Sequence, residues 1–354
     1  MACVLPAELD EILEALADDL ATLRGGRVLL TGASGFVGSW MAETLLRADD
    51  RWGLGLRLDL VCRRPDMIEP SVRLHPAARV VAADVTSINP AEPPDGLSGM
   101  FDAVIHTATP ASAALNLERP LDMIDAIVDG TRRVLGLAEA SGMIPFLFTS
   151  SGAIYGVMST DGVNSFREDS ASGPDPLDPA RAYHEAKRLA EMLCAIAVRD
   201  QRVAAKVARL FAFVGPHLPI DTHFAVGNFI RDRVAGRPIT VLGDVTTVRS
   251  YLYASDMTSW LLAILCRGTP GRAYNVGSEL AVDIAELAAM VASAGDGPPV
   301  PVEIMGKPGP GATVDRYVPS TQRVTEELGV VERVGLEAGL ARTVGWHRRT
   351  MPGR

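Results

Sequence analysis

Thr31-Gly32-Ala33-Ser34-Gly35-Phe36-Val37-Gly38 is the stretch on which the fold turns. The residues before it, Arg27–Thr31, read as a buried strand, and those from Phe36 to Arg47 read as a helix. Gly32 allows a tight turn between them. Gly35 lets backbone N–H groups approach a pyrophosphate, and Gly38 lets the helix pack closely on the sheet. A helix N-terminus also carries partial positive charge, which suits phosphate. The octapeptide therefore predicts a dinucleotide site, contacted by Gly32, Ser34, Gly35, Phe36, Val37 and Gly38.

Working outward, short apolar segments alternate with helical patterns. Strands are expected at Leu58–Cys62, Arg79–Ala83, Ala103–Thr107, Phe146–Ser150 and Val203–Phe211. Helices are expected near Met123–Ala140 and Arg181–Arg199, and Asp49–Arg57 reads as an irregular insertion. Buried strands separated by helices imply a parallel sheet covered on both faces. The predicted class is α/β, a Rossmann-type doubly wound sheet with a smaller C-terminal α/β substrate-binding domain. Residues 1–24 form a helix of their own, with Leu9, Ile12, Leu13, Leu16, Leu20 and Leu23 at helical spacing. Residues 25–211 would be the dinucleotide domain and 212–354 mainly the substrate domain. Residues 237–270 are expected to return partly to the first.

Composition narrows the class further. The 354 residues carry 34 basic and 43 acidic side chains, a net charge of −9, which disfavours a nucleic-acid partner. The longest apolar run, Trp260 to Cys266, is too short to span a membrane. Cys3, Cys62, Cys194 and Cys266 form no CxxC pair, and the six histidines lack metal-ligand spacing. Reduced thiols, a cytoplasmic location and no metal are the expectation.

The end of the second strand, Val61-Cys62-Arg63-Arg64-Pro65, offers two arginines and no acid. An acid at that tip would bind a ribose 2′-OH, whereas an arginine accommodates a 2′-phosphate. Arg63 and Arg64 tilt the reading from NAD toward NADP. Asp84 and Val85, past the third strand, are candidates to reach the adenine.

Reactive groups come later in the chain. Tyr183-His184-Glu185-Ala186-Lys187 places Tyr and Lys on one helix face. A free tyrosine, with a pKa of about 10, is a poor base at neutral pH. A neighbouring ammonium stabilises the phenolate, which can then take a proton from a sugar hydroxyl as hydride leaves the same carbon. Thr149-Ser150-Ser151-Gly152-Ala153 lies at the carboxyl end of the fifth strand, the substrate edge of such sheets. Ser151 is positioned to bond both the reacting oxygen and Tyr183. Ser150 reads equally as a strand-end cap.

Together these elements resemble the extended short-chain dehydrogenase/reductase family, in particular its NAD(P)-dependent nucleotide-sugar epimerases and dehydratases. TGASGFVG is similar to that family's TGxxGFxG turn. Ile105-His106-Thr107-Ala108 resembles its fourth-strand motif and Gly130-Thr131 its Gly-Thr pair, with Ile127 where an Asn is usual. Ser151, Tyr183 and Lys187 match its Ser/Thr-Tyr-Lys triad. Arg249-Ser250-Tyr251-Leu252-Tyr253 and Tyr274-Asn275-Val276-Gly277 resemble two later segments. The resemblance implies cofactor contacts from Thr107, Ala108, Thr109, Ser150, Tyr183, Lys187 and Phe211. It implies substrate contacts from Ser151 and Arg249, a nucleoside-diphosphate sugar substrate, and a homodimer built on helices that include the Tyr-Lys helix, with Leu189, Leu193 and Ile196 on its face.

The reaction is less constrained. Family dehydratases place Asp-Glu after the triad Thr; Gly152-Ala153 stands here, which argues against 4,6-dehydration and fits a C4 epimerase. The segment RAYHEAKRLAEMLC is more like the sugar-acid decarboxylase branch. Keto-sugar reduction stays open as well, as does a non-enzymatic NAD(P)-binding sensor or scaffold. Ala212 replaces an Asn that contacts the diphosphate in many relatives, so His223 and Asn228 are named as substitute substrate contacts.

Overall fold

The run Val28-Leu29-Leu30 has no polar residue to turn toward water, and all three side chains are fully buried. A strand of this kind needs a cover on each face. In the computed structural model, which describes residues 3–110, 112–156, 165–170, 173–221, 224–306 and 315–350, it lies inside a seven-stranded sheet. The first half of the chain runs α1 (Pro6–Ala21), β1 (Arg27–Thr31), α2 (Phe36–Trp52), β2 (Arg57–Cys62), α3 (Pro70–Arg73), β3 (Ala78–Ala82), β4 (Ala103–His106), α4 (Ala113–Glu118), α5 (Pro120–Glu139) and β5 (Pro145–Ser151). Then come α6 (Ala182–Arg199), β6 (Ala204–Leu210), β7 (Ala212–Val214), α7 (Ala225–Val234), β8 (Ile239–Val241), β9 (Val248–Arg249), β10 (Tyr251–Tyr253), α8 (Ala254–Arg267) and β11 (Ala273–Val276). The chain closes with β12 (Val282–Asp283), α9 (Ile284–Ser293), β13 (Val302–Ile304), β14 (Arg316–Tyr317), α10 (Gln322–Leu328) and α11 (Leu336–Thr350).

The central sheet has the order β11-β6-β5-β4-β1-β2-β3, and every neighbouring pair is parallel. Strand order reverses between β1 and β4. Ligands of open α/β sheets bind in the crevice at such a switch point. One face of the sheet is covered by α1, α2 and α8, the other by α5 and α6, which gives two apolar cores. This is the doubly wound Rossmann-type architecture expected from the sequence.

Two segments differ from expectation. α2 continues to Trp52, through much of the stretch read as an insertion. Nothing in Ala48–Trp52 breaks a helix, and Gly53 supplies the left-handed cap at φ 56°. The return to the sheet extends beyond residue 270, because β11 is the edge strand beside β6. Among the described residues the other strands pair in small sheets: β10 with β7, β13 with β8, and β9 between β12 and β14.

α1 docks through the predicted stripe: Leu9, Ile12, Leu13, Leu16 and Leu20 are buried against α8 and α2. Each such burial stabilises by about 1.5–3 kcal/mol. Polar ties reinforce it. Tyr253 donates to the buried Glu8, Arg267 binds Asp19 at 2.6 Å, and Arg342 binds Glu11 at 2.9 Å.

Candidate active site

At the switch point each glycine of the turn has a separate reason. Gly32 has φ +76°, and a Cβ there would lie 2.7 Å from Thr107 Oγ1 and 2.8 Å from the Ala108 nitrogen. Thr107 and Ala108, after β4, therefore pack directly on the turn, and Thr107 Oγ1 donates to the Thr31 carbonyl at 2.7 Å. A Cβ at Gly38 would lie 2.2 Å from the Gly32 carbonyl oxygen, so only glycine lets α2 start here. A Cβ at Gly35 would meet only that same oxygen, at 3.3 Å. Gly35 is the N-cap of α2, and no side chain caps the helix. The amides of Phe36, Val37 and Gly38 begin a helix whose orphan donors suit an anion. The cradle fits a dinucleotide pyrophosphate, with Ser34 on its rim beside the buried Cys62 thiol, whose pKa burial raises.

Arg63 and Arg64 follow β2 with both side chains exposed. Asp84 accepts from the Thr86 backbone N–H at 2.9 Å and the Thr86 hydroxyl at 2.8 Å, the work of a turn residue. Val85 is buried against α5, where a Cβ on Gly130 would touch it at 2.9 Å. His106 is enclosed between Thr31 Oγ1 at 2.7 Å and Thr131 Oγ1 at 3.2 Å. Burial holds its pKa down at about 3, so the ring is neutral.

Lys187 is almost wholly buried. Its Nζ donates to the Thr149 carbonyl at 2.6 Å and to Thr109 Oγ1 at 2.8 Å, and lies 4.7 Å from the centre of the Phe148 ring. Burial lowers its pKa to about 7, opposed by the Glu191 carboxylate. Tyr183 stands one turn earlier. Burial raises its pKa, and a hydrogen bond with Ser151 opposes the rise. Ser151 thus opposes the effect of burial on Tyr183, while Lys187 is anchored on Thr149 and Thr109 one turn along the helix.

Ser151 ends β5 and accepts from the Ala153 N–H at 3.1 Å. Beside it stands Tyr317 from β14, whose hydroxyl donates to the Leu210 carbonyl at 3.4 Å. Tyr317 and Phe211 lie tilted against each other, 4.6 Å between centroids, and fill the space beside Gly152. A Cβ on Gly152 would lie 2.6 Å from both the Tyr317 hydroxyl and Phe211 Cζ. No carboxyl group stands at 152 or 153, and a side chain at 152 has no room.

Ser150 is occupied otherwise. Its hydroxyl donates to Glu191 at 2.6 Å, and Glu191 is paired with Arg209 at 2.8 Å. Arg209 reaches the Tyr155 hydroxyl at 2.9 Å, which in turn donates to Asn275 at 2.7 Å. This network ties the ends of β5, β6 and β11 beneath the site. Arg249 is held by Asp315 at 2.6 Å, 5.8 Å from the Tyr317 ring centroid. Asn228, in the first turn of α7, accepts from Arg231 at 3.0 Å. His223 lies outside the described residues.

Thus Ser151, Tyr183 and Lys187 converge at the strand ends, with Thr107, Ala108 and Thr109 between them and the glycine turn, and Phe211 in the wall. Tyr317 and Glu191 were not singled out from the sequence. Glu191 had a signal, standing four residues after Lys187 on the same helix. Tyr317 had none, because β14 is two residues long and is placed by pairing with β9 and by the bridge of the following residues to Phe166.

A family model, the NAD dependent epimerase/dehydratase family, matches residues 28–277. The chain belongs to that family, the extended short-chain dehydrogenase/reductase type that its motifs resemble. Among curated relatives, UDP-glucuronic acid decarboxylase 1 of Arabidopsis thaliana is 29% identical over 325 residues, covering 90% of this chain and 69% of the relative. Among solved structures, an epimerase from Methanothermobacter thermautotrophicus matches with a TM-score of 0.79 and 21% identity, over 96% of both chains. UDP-glucose 4-epimerase of Thermotoga maritima matches with a TM-score of 0.73 and 24% identity, over 92% of this chain and 99% of that one. At these identities the structural likeness speaks for the fold.

Proposed function

We propose that the protein oxidises C4 of a nucleoside-diphosphate hexuronic acid and that the resulting keto-acid loses CO2. The observation that carries this is the filled space beside Ser151. Expelling water from a keto-sugar needs an acid there, and Gly152, Ala153, Phe211 and Tyr317 offer no carboxyl group. Loss of CO2 needs none, since a ketone at C4 lies β to the C6 carboxylate and takes up the electron pair. Tyr183 would hold the C4 hydroxyl proton, Ser151 would bond the C4 oxygen, and Lys187 would keep the site positively biased. NAD, when bound, supplies the hydride acceptor for the oxidation and the donor for the closing reduction. Gly32, Ser34, Gly35, Phe36, Val37 and Gly38 would hold its pyrophosphate, and Thr107, Ala108 and Thr109 would line its nicotinamide half. The similarity to UDP-glucuronic acid decarboxylase supports this choice over C4 epimerisation.

C4 epimerisation is the second reading, favoured by the small pair Gly152-Ala153. Incubation with NAD and a panel of nucleoside-diphosphate hexuronates and hexoses decides between them. Release of CO2 with a pentose product by NMR is expected. An inverted hexose without CO2 would replace this reading with the second. Steady consumption of NADPH in a parallel incubation with that cofactor would mean a reductase.

Exposed Leu117, Leu121, Leu189 and Met192 on α4, the start of α5, and α6 support a second copy docking on this face, with Leu193 and Ile196 half-buried beside them. Light scattering tests it: a mass near twice that of the chain is expected, and a monomer would refute it. Among the described residues no helix is long and apolar enough to cross a membrane, and no His/Cys/Asp/Glu group is arranged to hold a metal.

A further inference from the structure

The helix that carries Tyr183 and Lys187 begins without a cap of its own. Its N-cap residue, Arg181, makes no side-chain capping bond, and Tyr183 is the second residue of the helix. The first N–H groups of a helix have no partner within it. Here the partner comes from another element. Asn116, on the short helix α4, accepts the Tyr183 N–H with its carboxamide oxygen at 2.8 Å and donates its amide to the Ala180 carbonyl at 2.7 Å. One side chain thus bridges the tight turn at Pro179–Arg181 and the first turn of α6. The same connection holds the other half of the pair, because Thr109, seven residues earlier, accepts from Lys187 Nζ at 2.8 Å. Lys187 has a second anchor on the Thr149 carbonyl, whereas the backbone of Tyr183 depends on Asn116.

We infer that Asn116 is a positioning residue for the reaction: it sets where the Tyr183 hydroxyl stands relative to Ser151 and Lys187 by fixing the first turn of α6. The inference rests on the proposed oxidation by Tyr183. Misplacing a reacting group by about 1 Å can cost roughly 100-fold in rate. Asn116→Ala removes both bonds and leaves Tyr183, Ser151 and Lys187 intact. A turnover number lowered about 10- to 100-fold is expected, with KM for the sugar and affinity for NAD within about 2-fold. Displaced from Ser151, Tyr183 should also ionise at higher pH, moving the acid limb of the rate profile upward by about half a unit or more. Asn116→Asp keeps the acceptor for the Tyr183 N–H at a helix N-terminus that favours a carboxylate, and should recover most of the rate.

The same displacement can be read without a substrate. Ultraviolet difference titration of the Tyr183 phenolate in the NAD-loaded protein, with Tyr183→Phe as the blank, should show the upward shift in Asn116→Ala. If that variant does not fold, Asn116→Ser, too short to span both partners, takes its place. Wild-type turnover and wild-type titration in the variant would overturn the inference. So would a lowered melting temperature with an unchanged rate per folded molecule. If the wild-type protein turns over no nucleotide sugar, the proposed function fails, and the titration still decides the role of Asn116.

Discussion

Two glycines of this protein, Gly38 and Gly152, lie on opposite sides of one crevice and are required for opposite reasons. At Gly38 the forbidding neighbour is six residues away, the Gly32 carbonyl, and the missing side chain lets a helix end face an anion. At Gly152 the forbidding neighbours are Phe211 and Tyr317, 59 and 165 positions away, and the missing side chain makes room for aromatic rings. The cofactor side is thus built by local backbone geometry. The side beside Ser151 is built by distant segments meeting, and under the proposed function that meeting would bear on the fate of the oxidised sugar.

The sharpest way to separate the two sides is Tyr183→Phe. Turnover should fall by a factor on the order of 1,000 or more, while NAD affinity by titration stays within about 2-fold. Undiminished turnover would remove Tyr183 from the chemistry. Gly38→Ala should do the reverse, weakening NAD binding severely and lowering stability by about 1–3 kcal/mol, since its Cβ meets backbone rather than a yielding side chain. Calorimetric titration and thermal melts read both effects.

Gly152→Asp puts an acid where dehydratases of this family carry one. The collision with Phe211 and Tyr317 should lower turnover about 10- to 100-fold and leave NAD affinity nearly unchanged, with no dehydrated product by NMR. Accumulation of a 4-keto-6-deoxy sugar from a nucleoside-diphosphate hexose would show instead that the missing acid alone decides the reaction.

Lys187→Met tests the boundary between the sides through pH. Burial holds Lys187 at about 7 in the folded protein, against 10.5 as a free side chain. Between those values the unfolded chain binds more protons, so this lysine's penalty on stability shrinks as pH rises. The variant should be inactive, more stable than wild type at and below neutral pH, and progressively less advantaged toward pH 10 in urea melts. An advantage independent of pH would contradict this account. The smallest effect is expected for the pair Arg63→Ala and Arg64→Ala. NADPH affinity should drop about 10-fold with NADH spared, and equal losses would assign the arginines no selectivity.

Legibility in the sequence divides along the same line. Strand, turn and helix around Gly32–Gly38 are contiguous, so the pattern carried its own context. Ser151, Tyr183 and Lys187 were identifiable as residue types, but the partners that anchor Lys187 were not. Spacing on a helix face shows that Lys187 is near and does not show that it is buried and committed to Thr149 and Thr109. Ser150 and Asp84 were assigned to the cofactor, and each spends an oxygen on its own scaffold, Glu191 and Thr86. Tyr317 stayed invisible because two residues of strand leave no periodicity, and its address comes from Arg249 across the sheet and from Phe166 beside it.

The leading helix α1 has a consequence for how the molecule comes apart. It lies on α8, and its acids are fastened to Tyr253, Arg267 and Arg342, contacts 245, 248 and 331 positions distant along the chain. Helix α1 therefore clasps β10, α8 and α11 together against the Rossmann half. Removing α1 should loosen α8 and α11, and heat should melt these helices together rather than shed the C-terminal half first.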